Sequence, residues 1–332
     1  MTTLAATFVA IASAWSALAL WYQAPGGPKM RAAAIAAWLA LAAACLIGVW
    51  HDWFAVAVCT FAAAFAGLLI WWIRLAPSND RDWADDVAQM VRGTVQGDCV
   101  TLQNVRNFAW RSETDYTPRW ETRGYDLALL SNLDMIVSYW SGHAIAHMLV
   151  SFGFDDGAHV VFSVEIRREK SESFSEIGGF FKEFELCIIA ADEHDIVRLR
   201  TNVRREDTFL FRLNMPVAAM RSLLLAYIDE ANSLARAPRF YHTITGNCTT
   251  LVWRMLKKIV RPLPFSYRVL LSGYLPEYVY EVGALDPRYP IEELRRLGYI
   301  SERARGADQG AGFSGDIRAG VPALKSPAGA PG

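Results

Sequence analysis

The sequence predicts N-terminal transmembrane α-helices followed by an α+β domain, a mostly antiparallel sheet with helices packed on it. Three observations carry this. Residues 4–22, 32–50 and 53–73 are apolar stretches close to the roughly 20 residues that a bilayer span needs. Short runs rich in β-branched and aromatic residues, most of them followed by turn residues, fill much of the stretch from 100 to 213. After Asn214 come two helical segments, the second with Leu251, Met255 and Ile259 at helical spacing.

The first three stretches form an anchor, expected over residues 1–75. The only formal charges before Arg74 are Lys29, Arg31 and Asp52, all in the connections. A cleaved signal peptide would have a basic leading segment and no further spans, and neither holds here. The link Trp50-His51-Asp52-Trp53 makes the second and third spans a tight hairpin with tryptophans at the interface. Taken alone, Lys29 and Arg31 place the first loop, and with it everything after Arg74, in the cytoplasm.

A polar break at Ala76–Trp83 opens the second domain, expected over residues 76–300. Its strand-like runs are Val100–Phe108, Ala146–Phe154, His159–Arg167, Glu185–Ala190, Ile196–Val203 and Thr208–Leu213. Asp155-Asp156-Gly157 and Asp192-Glu193-His194-Asp195 read as turns. Asn214-Met215-Pro216 opens a helix running to about Ala235, and another starts at Cys248. Residues 301–332, rich in Gly, Ala, Ser and Pro, are expected to be a poorly ordered tail.

Composition excludes some partners. A net charge of −1 offers no polyanion-binding surface, so nucleic acid is not expected. No cysteine pair has zinc-ligand spacing and no Gly-rich phosphate loop is present, so neither metal nor cofactor is expected. Cys45 and Cys59 fall inside the spans, leaving Cys99, Cys187 and Cys248, of which at least one lacks an intrachain partner among the three. A Cys99–Cys187 bridge stays open.

Cys248 stands at a helix start, where unpaired N–H groups and the macrodipole favour a thiolate. A thiolate nucleophile needs a base within hydrogen-bond reach and a group that orients the base. His51 lies between spans and His194 in a charged, solvated turn; His242 is an awkward partner six residues upstream. His143 and His147 remain, the latter among residues of a buried strand. On the next strand Val160, Phe162, Val164 and Ile166 alternate on one face, so Ser163, Glu165 and Arg167 share the other. If the two strands pair through Asp155-Asp156-Gly157, Glu165 reaches the His147 imidazole. The competing readings are plain: a core histidine on a backbone carbonyl, a packed cysteine, and a Glu165 paired with Arg167 or Arg200 on a solvated face.

Several blocks then occur in order. They are Asn104-Val105-Arg106-Asn107-Phe108, Ile145-Ala146-His147, Ser151-Phe152-Gly153-Phe154 and Ser163-Val164-Glu165-Ile166-Arg167, followed by Ala191-Asp192-Glu193, Leu199-Arg200-Thr201-Asn202 and Asn247-Cys248-Thr249-Thr250. Together they resemble the periplasmic domain of the Lnb family over roughly residues 78–300. The resemblance implies a thiol enzyme related to papain-like, NlpC-type proteins in circularly permuted order, with Cys248 as nucleophile, His147 as base and Glu165, or less well Ser163, as the polar third member. Asn247, Tyr241 and His143 are supporting candidates. Two departures stand outside this triad: Ala109-Trp110 where the family has Arg-Tyr, and Tyr241-His242 where it has Tyr-Asn.

Lnb-type proteins move an acyl chain onto the N-terminal cysteine of bacterial lipoproteins. The resemblance therefore implies an acyltransferase on lipids or lipoproteins, held in the bacterial inner membrane with residues 75–332 outside the cytoplasm, against the weak bias of Lys29 and Arg31. An envelope amidase or peptidase would use the same Cys/His machinery, and a non-catalytic binding protein with a packed Cys248 is the third reading.

Overall fold

In the computed structural model, residues 1–260, 262–307, 310 and 312–322 are described. The chain divides into two compact units: Met1–Asp80 with Ser173–Glu185 and Phe240–Thr243, and a larger one holding Arg81–Glu172, Leu186–Arg239 and the chain from Ile244 on.

In the first unit, α1 (Thr2–Gln23), α2 (Pro28–Val49) and α3 (Phe54–Arg74) are long and apolar enough to cross a membrane. Pro28 starts α2, where its missing N–H costs nothing. The helices pack through Val9, Ala12, Trp38, Ala42, Cys45 and Phe61. Gly48 permits the tight α2–α3 hairpin, since a Cβ there would stand 2.9 Å from the Ala57 Cβ. Trp50 and Trp53 are exposed at its tip.

The second unit is α+β. Its strands are β1 (Arg92–Gln96), β2 (Cys99–Arg106), β3 (Ala109–Trp110), β4 (Tyr116–Thr117), β5 (Trp120–Asp126), β6 (Leu130–Ser141), β7 (Ile145–Phe154), β8 (His159–Arg167), β9 (Glu185–Ala191) and β10 (Asp207–Arg212). The main sheet runs β1-β2-β9-β8-β7-β6-β10, with β5 also on β2, and β3 and β4 form a small pair of their own. β2 and β9 run parallel, while β1–β2, β2–β5, β6–β7, β7–β8 and β6–β10 are antiparallel. The helices are α4 (Glu193–Arg198), α5 (Val217–Arg236), α6 (Cys248–Ile259), α7 (Leu275–Glu281), α8 (Ile291–Gly298), α9 (Ser301–Gly306) and α10 (Phe313–Arg318).

Both faces of the sheet are covered. Phe152 of β7 meets Tyr227 of α5, while its neighbour Ser151 donates to Glu193 of α4 and so points the opposite way. This double coverage explains why β6 escaped the sequence reading: a strand buried on both faces shows no clean alternation. β1 and β5 were missed for the converse reason, being mostly polar.

Two expectations are corrected and one open question is answered. Ile196–Val203 is not a strand but the end of α4 followed by a π-helical turn, Leu199–Val203. Asp192 caps α4 by accepting the His194 N–H, and buried Asp195 takes a two-pronged ion pair from Arg106 and a bond from the Trp110 indole. The expected disordered tail contains α9 and α10, because Phe313 and Ile317 are buried and Arg318 pairs with buried Asp134 and Glu193. Residues 323–332 of that expectation lie outside the described residues. Finally, all five cysteines are free, so Cys99 and Cys187 form no bridge.

Candidate functional site: a buried thiol–imidazole–carboxylate cluster

The site is assembled from three elements. β7 and β8 pair in a register that sets Leu149 against Ser163, which brings His147 opposite Glu165 two residues further along. α6 supplies the thiol at its first residue. The α6 start is fixed by Asn247, whose Oδ1 accepts the N–H groups of Thr249 and Thr250 and both their hydroxyls, while the Thr250 hydroxyl accepts from the Asn247 N–H. This reciprocal cap leaves Cys248 at the N-terminal turn, where the helix field stabilises an anion.

The three groups meet. His147 Nε2 lies 3.0 Å from Glu165 Oε1 and 2.8 Å from the Ser163 hydroxyl, which itself donates to Glu165 Oε1 at 2.6 Å. The Cys248 thiol lies close enough to the imidazole for each group to shift the proton affinity of the other. Nε2 is committed to Glu165 and Ser163. His147 and Cys248 are each 9% exposed, so the pair is shielded yet not sealed.

Electrostatics favour a thiolate–imidazolium pair. Burial pushes the Cys248 thiol up, but the His147 hydrogen bond and charge, helped by the Met148 backbone amide, outweigh it and bring the thiol below its ordinary value. Burial and the nearby Arg200 push the imidazole down. The Glu165 charge and the bonds to Cys248 and Glu165 more than offset them, raising His147 to about 9. Burial likewise disfavours the Glu165 carboxylate, but His147, Arg200 and Ser163 hold it well below the usual range.

Arg200, named from sequence only as a partner of Glu165 on a solvated face, has a buried place in the cluster. Taken as a strand-face residue, it read as solvated; on the π-helical turn it is buried and reaches inward. Its Nη2 donates toward Glu165 Oε1 at 3.5 Å and its Nη1 toward Glu206 Oε2 at 3.2 Å. Glu206 is held by the Ser138 hydroxyl at 2.6 Å, and Ser138 shares a hydrogen bond with Thr208. The alternative partner for Glu165, Arg167, turns away to the Val87 and Ala88 carbonyls and the Trp83 ring. A signal for the helical turn was present in Asp192, an N-cap residue before an acidic first turn.

The remaining candidates divide. Asn247 and Ser163 belong to the cluster. His143 does not: it is exposed in the β6–β7 turn and lines a separate cleft of about 880 Å³ with Trp140, Arg204 and Tyr274, which neither Cys248 nor His147 lines. Tyr241 and His242 fall in the first unit, where His242 sits edge-on to Phe180 at 5.5 Å. His194 is bonded to Asp192 at 2.7 Å. Among the described residues no group of His, Cys, Asp and Glu has the geometry to hold a metal ion.

An exposed apolar segment adjoins the cluster. Thr249, next to the thiol, donates to the Val269 carbonyl at 2.6 Å, and the N–H of Ala146, next to His147, donates to Ser272 Oγ at 2.9 Å. Between and around these anchors Phe265, Tyr267, Leu270, Leu271 and Tyr274 present large apolar side chains to the outside.

No curated protein and no solved structure matches the chain. Residues 116–273, which include His147, Ser163, Glu165, Arg200 and Cys248, match the model of the Lnb N-terminal periplasmic domain, and three helices long and apolar enough to cross a membrane precede them.

Proposed function

We propose that the chain is a membrane-anchored, cysteine-dependent acyltransferase that acts on lipids or lipoproteins at the bilayer surface, its second unit working on the periplasmic side in keeping with the family description. The reading makes the domain a permuted relative of papain-like, NlpC-type enzymes, with the histidine strand before the cysteine helix. The observation that carries it is a buried His147 paired with Glu165, 3.0 Å away, together with a buried cysteine at the N-terminal turn of α6.

In the first step the Cys248 thiolate attacks an ester carbonyl. The carbon–oxygen bond to the donor breaks, and the alcohol leaves with the proton that His147 carries. The acyl group rests on Cys248 as a thioester. An acceptor amine then attacks, His147 takes its proton, and the Cys248 thiolate departs, restoring the starting thiolate–imidazolium pair. Glu165 and Ser163 keep Nε2 protonated and the ring aimed at sulfur throughout. The oxyanion of each tetrahedral intermediate finds the positive end of α6, where the Cys248 N–H is not used by the Asn247 cap.

The apolar segment around Leu270 and Leu271 favours an acyl chain over a polar envelope peptide as the group delivered to the thiol. Mass spectrometry of lipoprotein N-termini from cells with and without the protein tests the function. N-acylated termini present with the wild type and absent with Cys248→Ala are expected. Unchanged lipoproteins together with new amine termini in envelope material would favour the amidase reading instead.

A further inference from the structure

We propose that residues 173–184 form a membrane-surface foot, in which Phe174, Ile177 and Phe180 enter the lipid at the boundary between headgroups and acyl chains. The segment belongs to the same compact unit as the three apolar helices. It is held to the last turns of α1 and α3, which end on one side of the hairpin set. Gln23 Nε2 donates to the carbonyls of Phe181 and Lys182 at 3.1 and 2.7 Å, and the Tyr22 hydroxyl bonds Ser175 at 3.2 Å. Lys182 Nζ caps the end of α3 by donating to the Trp72 carbonyl at 2.7 Å. Phe181 fills the gap between the two helix ends, stacked on Tyr22 and edge-on to Trp72.

That position fixes the level of the segment. Trp21, Tyr22, Trp71 and Trp72 cluster within the last turn of their helices, the arrangement that marks a membrane–water interface. A segment pinned to those turns by three side chains lies at the same level. There Phe174, Ile177 and Phe180 are 56%, 54% and 40% exposed, although Phe181 and Phe184 of the same segment are buried. Large apolar side chains at that depth replace contact with water by contact with acyl chains, while Glu176 and Lys182 belong among headgroups.

The foot also holds residues 240–243, which belong to the same unit. Thr243 donates to the Glu176 carbonyl at 2.9 Å, the Tyr241 N–H to the Phe184 carbonyl at 2.9 Å, and Lys182 lies over the Phe240 ring. Gly179 lets residues 240–243 come close, since a Cβ there would collide with the Thr243 hydroxyl oxygen. Residues 240–243 precede Cys248 by only four residues in the chain. The inference does not depend on the acyltransferase reading, because it concerns contact with lipid and no chemistry.

The test uses the full chain reconstituted in vesicles of phosphatidylethanolamine and phosphatidylglycerol, with the photoreactive p-benzoylphenylalanine in place of Phe174, Ile177 or Phe180 in turn. Ile47, exposed on α2, serves as the lipid-facing reference. Irradiation is expected to give peptides bearing the mass of a phospholipid at all three positions as well as at the reference. Lipid adducts at Ile47 alone overturn the proposal, as do crosslinks from the three positions to a second copy or to this chain's own residues. A second variant, Phe174→Ser with Ile177→Ser and Phe180→Ser, keeps the buried anchor Phe181. It is expected to bring a water-soluble quencher into reach of Trp71 and Trp72, and unchanged quenching would count against the foot.

Discussion

At the scale of single residues the account rests on who charges whom around His147. Glu165 raises the imidazole and Arg200 lowers it, so the two substitutions move it in opposite directions. Acyl transfer is expected to show a bell-shaped pH dependence. Its acid limb reflects formation of the Cys248 thiolate, below the ordinary thiol value, and its alkaline limb the loss of the His147 proton at about 9. Glu165→Gln removes the charge that favours imidazolium, so the alkaline limb moves to lower pH and the rate falls by on the order of 10²-fold as the ring loses its orienting carboxylate. Arg200→Met moves the alkaline limb to higher pH. It also leaves Glu165 and Glu206 without their shared cation, a cost of about 3–5 kcal/mol readable in urea unfolding. An alkaline limb that moves the same way in both variants would refute this electrostatic assignment.

At the scale of elements, the thiol owes its place to the cap of α6. Asn247→Ala removes the acceptor of four hydrogen bonds and is expected to destabilise the domain by about 1 kcal/mol. It also lets the helix start fray, so alkylation of Cys248 by iodoacetamide slows at neutral pH; an unchanged alkylation rate would separate the cap from the chemistry. A second element test concerns α10. Arg318 donates from Nε to Asp134, from Nη1 and Nη2 to Glu193, and from Nη1 also to the Ser314 carbonyl. Arg318→Met strands the fully buried Glu193 carboxylate, while Asp134 keeps Arg212, and is expected to cost about 3–5 kcal/mol, measured by denaturant unfolding. Full retention of stability would show that the C-terminal helices are dispensable.

These elements also show what the sequence could convey. The β7–β8 pairing was legible because Asp155-Asp156-Gly157 joins two strand-like runs, and the alternation of the second puts Ser163 and Glu165 on one face, opposite β7. The α6 start was legible from Asn247 and the apolar spacing beyond it. Arg200 was not, because a run with charges at alternate positions fits a strand as well as a helix, and only tertiary burial decides between them. α10 was hidden for a related reason: in a Gly- and Ala-rich stretch, two buried side chains and one arginine suffice to hold a short helix.

At the scale of the whole molecule, three apolar helices tie a thiol-bearing domain to a bilayer, which confines the site near its proposed substrate. Reporter fusions after Arg74 are expected to be active only outside the cytoplasm. Cytoplasmic activity there would favour the charge bias of Lys29 and Arg31 and remove the lipoprotein substrate from reach. The central claim is that Cys248 carries an acyl group. Its most direct test is intact-protein mass spectrometry of the full chain incubated with phospholipid vesicles, followed by hydroxylamine. The account predicts an added acyl mass on Cys248 that hydroxylamine removes and that is missing from Cys248→Ala and His147→Ala. A hydroxylamine-labile acyl mass that persists in Cys248→Ala, or no such mass on the wild type, would contradict it.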